Sequence, residues 1–267
     1  MNDHHEPTVQ QLFDLSGKRA LVTGASGYLG AALARALAEA GAQVVVASRK
    51  LERAQAVAEA LPTANGTTHK ATRIDHLDEA SLAPGFDRAV ELAGGLDILV
   101  NNGHHPTSDD WTTVTGAEFN RQLANATAYF LLARLLRDHV VERGARGSII
   151  MLGSMYGLVG SYPDAYRDIG PASPVAYHTL KGGIIHLTRH LAVYWAADGV
   201  RVNCLSPGPF PAPSAPAELV ERLCARSPMG RMGLPHELKG ALVFLAGDAG
   251  SYMTGHNLVI DGGWTAW

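Results

Sequence analysis

Cysteine is nearly absent from this sequence: Cys204 and Cys224 are the two thiols among 267 residues. Two cysteines at this spacing make neither a disulfide framework nor a zinc site, and they read as buried thiols of a reducing compartment. No run of roughly 18 apolar residues occurs, so no membrane-spanning helix is expected. Charge is sparse as well. Asp, Glu, Lys and Arg make up 18% of the chain, and the net charge of -3 leaves no basic field to draw nucleic acid or an anionic membrane. The 12 histidines are scattered and no HxxxH or HExxH helix pattern is expected to support a metal, so no metal site is expected. The opening MNDHHEPTVQQ is polar and lacks an apolar stretch behind a basic flank, unlike a signal peptide. Residues 1–16 read as a flexible tail, and the setting as cytoplasmic.

What the chain does have is hydrophobicity, 46% of its residues, in an alternating order. Short runs rich in Val, Ile and Leu (19–23, 42–47, 68–74, 96–100, 147–152, 200–205 and 256–260) read as strands. Ala- and Leu-rich segments at helical spacing lie between them (28–40, 50–61, 78–94, 115–143, 174–198 and 235–246). The strand runs show little polar alternation, the pattern of strands covered on both faces. Repeated strand–helix–strand units with right-handed crossovers then give an α/β fold: a doubly wound, parallel, seven-stranded sheet with helices on both faces. Residues 17–267 read as one domain. The Pro-rich PGPFPAPSAP (207–216) cannot be regular helix or strand. It opens a lid at about 207–230.

The first strand runs into Gly24-Ala25-Ser26-Gly27-Tyr28-Leu29-Gly30 and then a helix. Glycines three apart permit a tight turn and let backbone N–H groups approach a pyrophosphate, with the helix N-terminus aimed at it. This placement marks a Rossmann-type nucleotide site. Sites for NAD usually carry a carboxylate at the end of the second strand to hold the ribose 2′-OH. Here that strand ends in Ser48-Arg49-Lys50, and the next carboxylate is Glu52. The planar fork of Arg49 suits a 2′-phosphate, which predicts NADP(H) in preference to NAD(H). Further along, Tyr177 and Lys181 stand four apart in a helical pattern, on one face. For tyrosine to serve as acid or base near pH 7, its phenolate must be favoured by roughly 3 pK units, about 4 kcal/mol. A neighbouring ammonium supplies part of that.

In order along the chain come TGASGYLG, Asp75, NNG (101–103), Ser154, YHTLK, NCLSPGP, PMGRMGLPHEL and TGHNLVIDGG. Through these the sequence resembles the short-chain dehydrogenase/reductases, over nearly its whole length from about residue 13. The resemblance implies hydride transfer between a nicotinamide and a carbonyl or secondary alcohol. Tyr177 would be the proton donor or acceptor, Lys181 would hold the nicotinamide ribose and lower the tyrosine's pKa, and Ser154 would hydrogen-bond the reacting carbonyl. Asn125 would place a water in the proton relay. Asp75, with His76 beside it, would lie against the adenine. Asn101 and Gly103 would border the cofactor, and Pro207 and Gly208 would pass near the nicotinamide.

Three departures stand out. The glycine pattern TGxxGxxG replaces the TGxxxGxG usual among single-domain members. The usual NNAG reads NNGH, placing His104 and His105 at the mouth of the site, where they could shape the pocket, contact a polar substrate, or sit exposed. Ser154 and Tyr177 are 23 apart, where about a dozen is usual, so 156–173 reads as an insertion. It is expected to form one wall of the substrate pocket, with Arg167 anchoring an acidic group and Phe210 lining the lid side. Similarity leans toward the sugar, sugar-acid and polyol dehydrogenases of the family. A 3-oxoacyl thioester reductase and a silent NADP(H)-binding regulator are the alternatives. Members of this length are commonly homo-oligomers, tetramers or dimers. The 115–143 and 174–198 helices would form one interface and the Trp264/Trp267 tail another.

Overall fold

The computed structural model describes residues 6–63, 66–106 and 109–266. The expectations placed on residues 1–5 and on Trp267 lie outside the described residues. The strands are β1 (Arg19–Thr23), β2 (Gln43–Ser48), β3 (Lys70–Arg73), β4 (Ile98–Asn101), β5 (Gly147–Leu152), β6 (Val200–Pro207) and β7 (Asn257–Ile260). They form one seven-stranded sheet in the order β3-β2-β1-β4-β5-β6-β7. Every neighbouring pair is parallel. Every residue of β5 is buried, as a strand covered on both faces must be.

The helices are α1 (Val9–Phe13), α2 (Tyr28–Glu39), α3 (Leu51–Ala60), α4 (Leu82–Ala93), α5 (Gly116–Glu142), α6 (Pro163–Tyr166), α7 (Val175–Trp195), α8 (Ala217–Cys224) and α9 (Lys239–Ala246); α2, α3, α4, α5, α7 and α9 pack on the strands. Two hydrophobic clusters result. One holds Leu132, Leu136 and Ile184 of α5 and α7 against β4 and β5. The other holds Leu33, Leu37, Leu242 and Leu245 of α2 and α9. α5 begins in a capping box: Thr115 Oγ1 accepts from Glu118 N at 3.2 Å, and Glu118 Oε2 accepts from Thr115 N at 3.2 Å. This satisfies two of the orphan amides of the helix start.

Strand order reverses between β1 and β4, and an open α/β sheet puts its ligand crevice at the carboxyl ends of such strands. The opposite end carries ion pairs around a hollow of about 640 Å³. Asp97, 12% exposed, takes Arg19 Nε at 3.1 Å and Arg143 Nη2 at 3.1 Å. These contacts join the starts of β1 and β4 to the end of α5. Arg201 donates to the carbonyls of Leu245 and Gly247 at 2.9 and 3.2 Å.

The structure corrects several expectations. Residues 8–15 are not a flexible tail. Thr8 caps α1 in a box with Gln11, Phe13 meets the Phe244 ring at 6.4 Å, and Leu15 is fully buried in the core. One capped turn and one buried leucine suffice to dock this segment. The third strand shrinks from 68–74 to Lys70–Arg73. β6 runs on to Pro207, two residues past Leu205, its last position paired with β5, where that side of β6 is an edge and a proline is tolerated. The insertion and the lid each contain a short helix, α6 and α8. Trp264 is not a surface tail: it is 1% exposed, edge-on to Tyr162 at 5.4 Å.

Candidate active site

The glycine loop lies at the reversal point. Gly24 has φ +62°, and a Cβ there would stand 2.6 Å from Gly103 Cα, so the loops after β1 and β4 touch only because both residues lack side chains. A Cβ on Gly30 would stand 2.2 Å from the Gly24 carbonyl oxygen. α2 starts at Gly27 with no side-chain cap. Its first-turn amides are therefore free to face an anion, unlike those of α5. Beside them runs a groove of about 310 Å³ lined by Ser26, Tyr28, Leu29, Ser48, Arg49, Asp75, His76 and Gly103. Ser26 Oγ and Ser48 Oγ are 2.8 Å apart, and Asp75 Oδ1 accepts from Leu77 N at 3.1 Å. Uncapped amides, a cradle that any Cβ would fill, and a cationic rim fit a dinucleotide. A larger hollow of about 710 Å³ between α3 and α4 is lined by Lys70, Arg73, Asp78 and Arg88 but by none of the loop glycines Gly24, Gly27 and Gly30.

Asn101 is a correction. It is fully buried, and its amide donates to the Tyr129 carbonyl at 2.9 Å. It lines neither the groove nor the cavity described below. Asn102 does both, donating to the carbonyls of Thr23 and Gly24 at 3.0 and 3.1 Å and so bracing the glycine loop. Successive side chains at a strand end point to opposite sides, the signal that could have separated the two asparagines. His76 turns inward, edge-on to Tyr129 at 5.5 Å. Neither ring nitrogen has a partner among the described residues. Burial pushes its pKa down to about 4, so it is neutral. A Cβ on residue 103 would stand 2.6 Å from His76 Nε2, which accounts for glycine at that place.

A second cavity of about 240 Å³ is lined by Ser154, Tyr177, Lys181, Pro207, Gly208 and Phe210, and it shares Leu29, Asn102 and His104 with the groove. Ser154 follows β5 with extended backbone, its Oγ accepting from Tyr156 N at 3.1 Å. Tyr177 and Lys181 sit in the first turns of α7. Lys181 Nζ donates to the Leu152 carbonyl at 2.6 Å and lies 5.5 Å from the Tyr177 ring centre. Burial pulls its pKa down to about 8. Burial likewise raises the Tyr177 phenol above its ordinary value, while the Ser154 hydroxyl pulls it back. In the protein alone the phenol is therefore held neutral.

His104 packs edge-on to Tyr177 at 5.3 Å, with Nε2 2.6 Å from Gln122 Nε2. Burial pushes its pKa down to about 3. His105 lies elsewhere, on the groove rim between Arg49 and Arg121. Asn125 accepts from His105 N at 3.0 Å through Oδ1 and donates to the Gln122 carbonyl at 2.8 Å. Both ends of its amide have protein partners, which makes it first a fastener of the loop after β4. Arg167 is exposed and does not line the cavity; its carbonyl accepts from Arg222 at 2.6 Å. The insertion packs on α8 through Met155, Ala165, Leu223 and Trp264, with an ion pair from Arg226 to Asp164. The expectation of no HxxxH spacing is corrected: His186 and His190 stand four apart on α7. Among the described residues no cluster of three or more His, Cys, Asp or Glu could hold a metal.

A parallel sheet with a glycine-rich groove at its reversal point, opening onto a serine, a tyrosine and a lysine, defines a nicotinamide-dependent oxidoreductase. The family model described as enoyl-(acyl carrier protein) reductase matches residues 24–265, and the chain belongs to the short-chain dehydrogenase/reductase family. It is 37% identical to cis-4-hydroxycyclohexanecarboxylate dehydrogenase of Sinomonas cyclohexanicum, over 92% of this chain and 96% of that one. It is 36% identical to galactitol 2-dehydrogenase of Rhizobium johnstonii, over 97% and 99%. Among solved structures, gluconate 5-dehydrogenase of Burkholderia cenocepacia, in complex with NADP and tartrate, superimposes with a TM-score of 0.86 at 29% identity, covering 97% of this chain and all (100%) of that one. The chain is thus an oxidoreductase of CH–OH and C=O groups that uses a nicotinamide dinucleotide. Among the described residues no helix is long and apolar enough to cross a membrane.

Proposed function

We propose that this chain interconverts a ketone and a secondary alcohol on a small polar substrate, a sugar, sugar acid or polyol, with NADP(H) preferred over NAD(H). The observation that carries the reading is the convergence of Ser154, Tyr177 and Lys181 on a small cavity continuous with the nucleotide groove. Arg49 at the end of β2, with no carboxylate beside it, supports the 2′-phosphate. The galactitol and gluconate dehydrogenases among the relatives support the substrate class.

When bound, the cofactor supplies or accepts the hydride and, in its oxidised form, a positive charge beside the phenol. In reduction, the Ser154 hydroxyl donates to the carbonyl oxygen and Tyr177, held neutral by burial, delivers the proton to the same oxygen. In oxidation the proton leaves the alcohol for Tyr177. Lys181, fixed by the Leu152 carbonyl, keeps an ammonium below the tyrosine. His104, neutral and fixed by Gln122, offers a hydrogen-bonding edge for a neighbouring substrate hydroxyl.

The family model's description names a reductase of acyl chains on a carrier protein, which lends weight to a second reading, reduction of a 3-oxoacyl thioester to the 3-hydroxyacyl thioester. One assay separates the two: NADPH oxidation against keto sugars, keto sugar acids, diketones and 3-oxoacyl thioesters. Turnover confined to polar ketones is expected. Turnover confined to thioesters would replace the reading, and none at all with NADPH bound would favour the silent regulator. We also read the chain as a homo-oligomer. Val193 and Tyr194 of α7 and Val141 of α5 are 79%, 69% and 40% exposed, and a monomeric mass in solution would refute this.

A further inference from the structure

On the rim of the nucleotide groove two arginines face one histidine. Arg49 Nη1 lies 2.8 Å from His105 Nδ1, and Arg121 Nη2 lies 3.0 Å from His105 Nε2. Guanidinium nitrogens only donate, and a neutral imidazole has a single lone-pair nitrogen. One of the two contacts is therefore a hydrogen bond, and the other sets N–H against N–H. Protonating the ring would turn both into donor–donor contacts; burial first, then the Arg121 and Arg49 guanidiniums, oppose it, against a smaller pull from Asp75. Arg53 joins the same rim. Among the described residues none of Arg49, Arg53 and Arg121 has a carboxylate within ion-pair distance. These three guanidiniums lack an ion-pair partner among the described residues.

We propose that the missing acceptor is a phosphate dianion on the adenosine ribose of the nucleotide, gripped between Arg49 and Arg121, and that His105 is a placeholder which yields its position to it. An imidazole and the O–P–O edge of a phosphate have similar widths. Two guanidiniums held apart by the ring are therefore spaced to bridge one phosphate, with charge-assisted bonds of about 2.8 Å. The proposal rests on the nicotinamide-dinucleotide reading. It carries the phosphate site across the groove to α5, far in sequence from Arg49.

The test is fluorescence titration of the full chain with NADPH and NADH, for wild type, Arg49→Gln, Arg121→Gln and His105→Ala, with 2′,5′-ADP and 5′-AMP as competitors. Arg121→Gln is expected to weaken NADPH and 2′,5′-ADP about tenfold or more, leaving NADH and 5′-AMP in place. His105→Ala is expected to tighten NADPH severalfold, because the competing occupant is gone. Equal weakening of NADPH and NADH by Arg121→Gln, or no change in either, would overturn the second jaw while leaving Arg49 its role. Weaker NADPH binding in His105→Ala would overturn the placeholder. Wild-type affinities equal for both nucleotides, with Arg49→Gln silent, would overturn the cofactor preference beneath the proposal.

Discussion

Arginine has opposite fates at the two ends of the sheet. At the amino ends of the strands, Arg19 and Arg143 clasp Asp97, and Arg201 donates to backbone carbonyls. Each of these three finds its partner inside the fold. At the carboxyl ends, Arg49, Arg53 and Arg121 find no carboxylate among the described residues, the α2 amides have no side-chain cap, and His76 has two unpartnered ring nitrogens. Satisfied polar groups hold a fold together, whereas unsatisfied ones that border a groove are poised for a ligand. The comparison assigns stability to one end and chemistry to the other.

Substitutions can break that division. The largest effect belongs to the carboxyl end. Tyr177→Phe should lower kcat by about 10²- to 10⁴-fold, the usual range for a general acid–base group, with Tm and NADPH affinity near wild type. A fall in Tm matching the loss of rate would put the tyrosine in the fold instead. Asp97→Ala should do the reverse. It leaves two guanidiniums without their shared carboxylate, at a cost of roughly 3 kcal/mol in urea unfolding, while kcat/KM per folded molecule is unchanged.

A pH series sharpens the contrast. His76 and His104 are pushed from 6.5 down to about 4 and about 3. Below about pH 6.5 the unfolded chain therefore binds protons that the native chain refuses. Stability is full above that pH and falls as acid is added toward the folded values, by about 1.4 kcal/mol per pH unit for each histidine. Unfolding free energies at pH 7.5 and 5.0 should show this, and His104→Gln should flatten the slope by about one proton. An unchanged slope would mean that His104 is not shielded. The smallest effect is structural. Thr115→Ala removes the α5 capping box and should cost about 1 kcal/mol, with cofactor affinity intact.

The sequence disclosed most where chemistry is written in local spacing. Gly24, Gly27 and Gly30 sit on one turn, Tyr177 and Lys181 on one helix face, and the strand runs carry their own periodicity. It disclosed little where a group acts across the fold. Arg121 is a surface helix residue until α5 brings it to the rim, and Asn101 and Asn102 differ only in which way a strand end points. Helices α6 and α8 are too short for periodicity to mark them. α1 docks through Phe13 and Leu15, a contact with partners some 230 residues away on α9. Trp264 looked like a surface anchor because nothing local shows that Tyr162 and Leu223 cover it.

The most direct measurement is kcat/KM for NADPH and for NADH on one polar ketone that the wild-type protein turns over, repeated with Arg49→Gln. The account predicts at least a tenfold preference for NADPH that the substitution removes by weakening NADPH alone. Equal use of the two cofactors, or a preference for NADH, would contradict it.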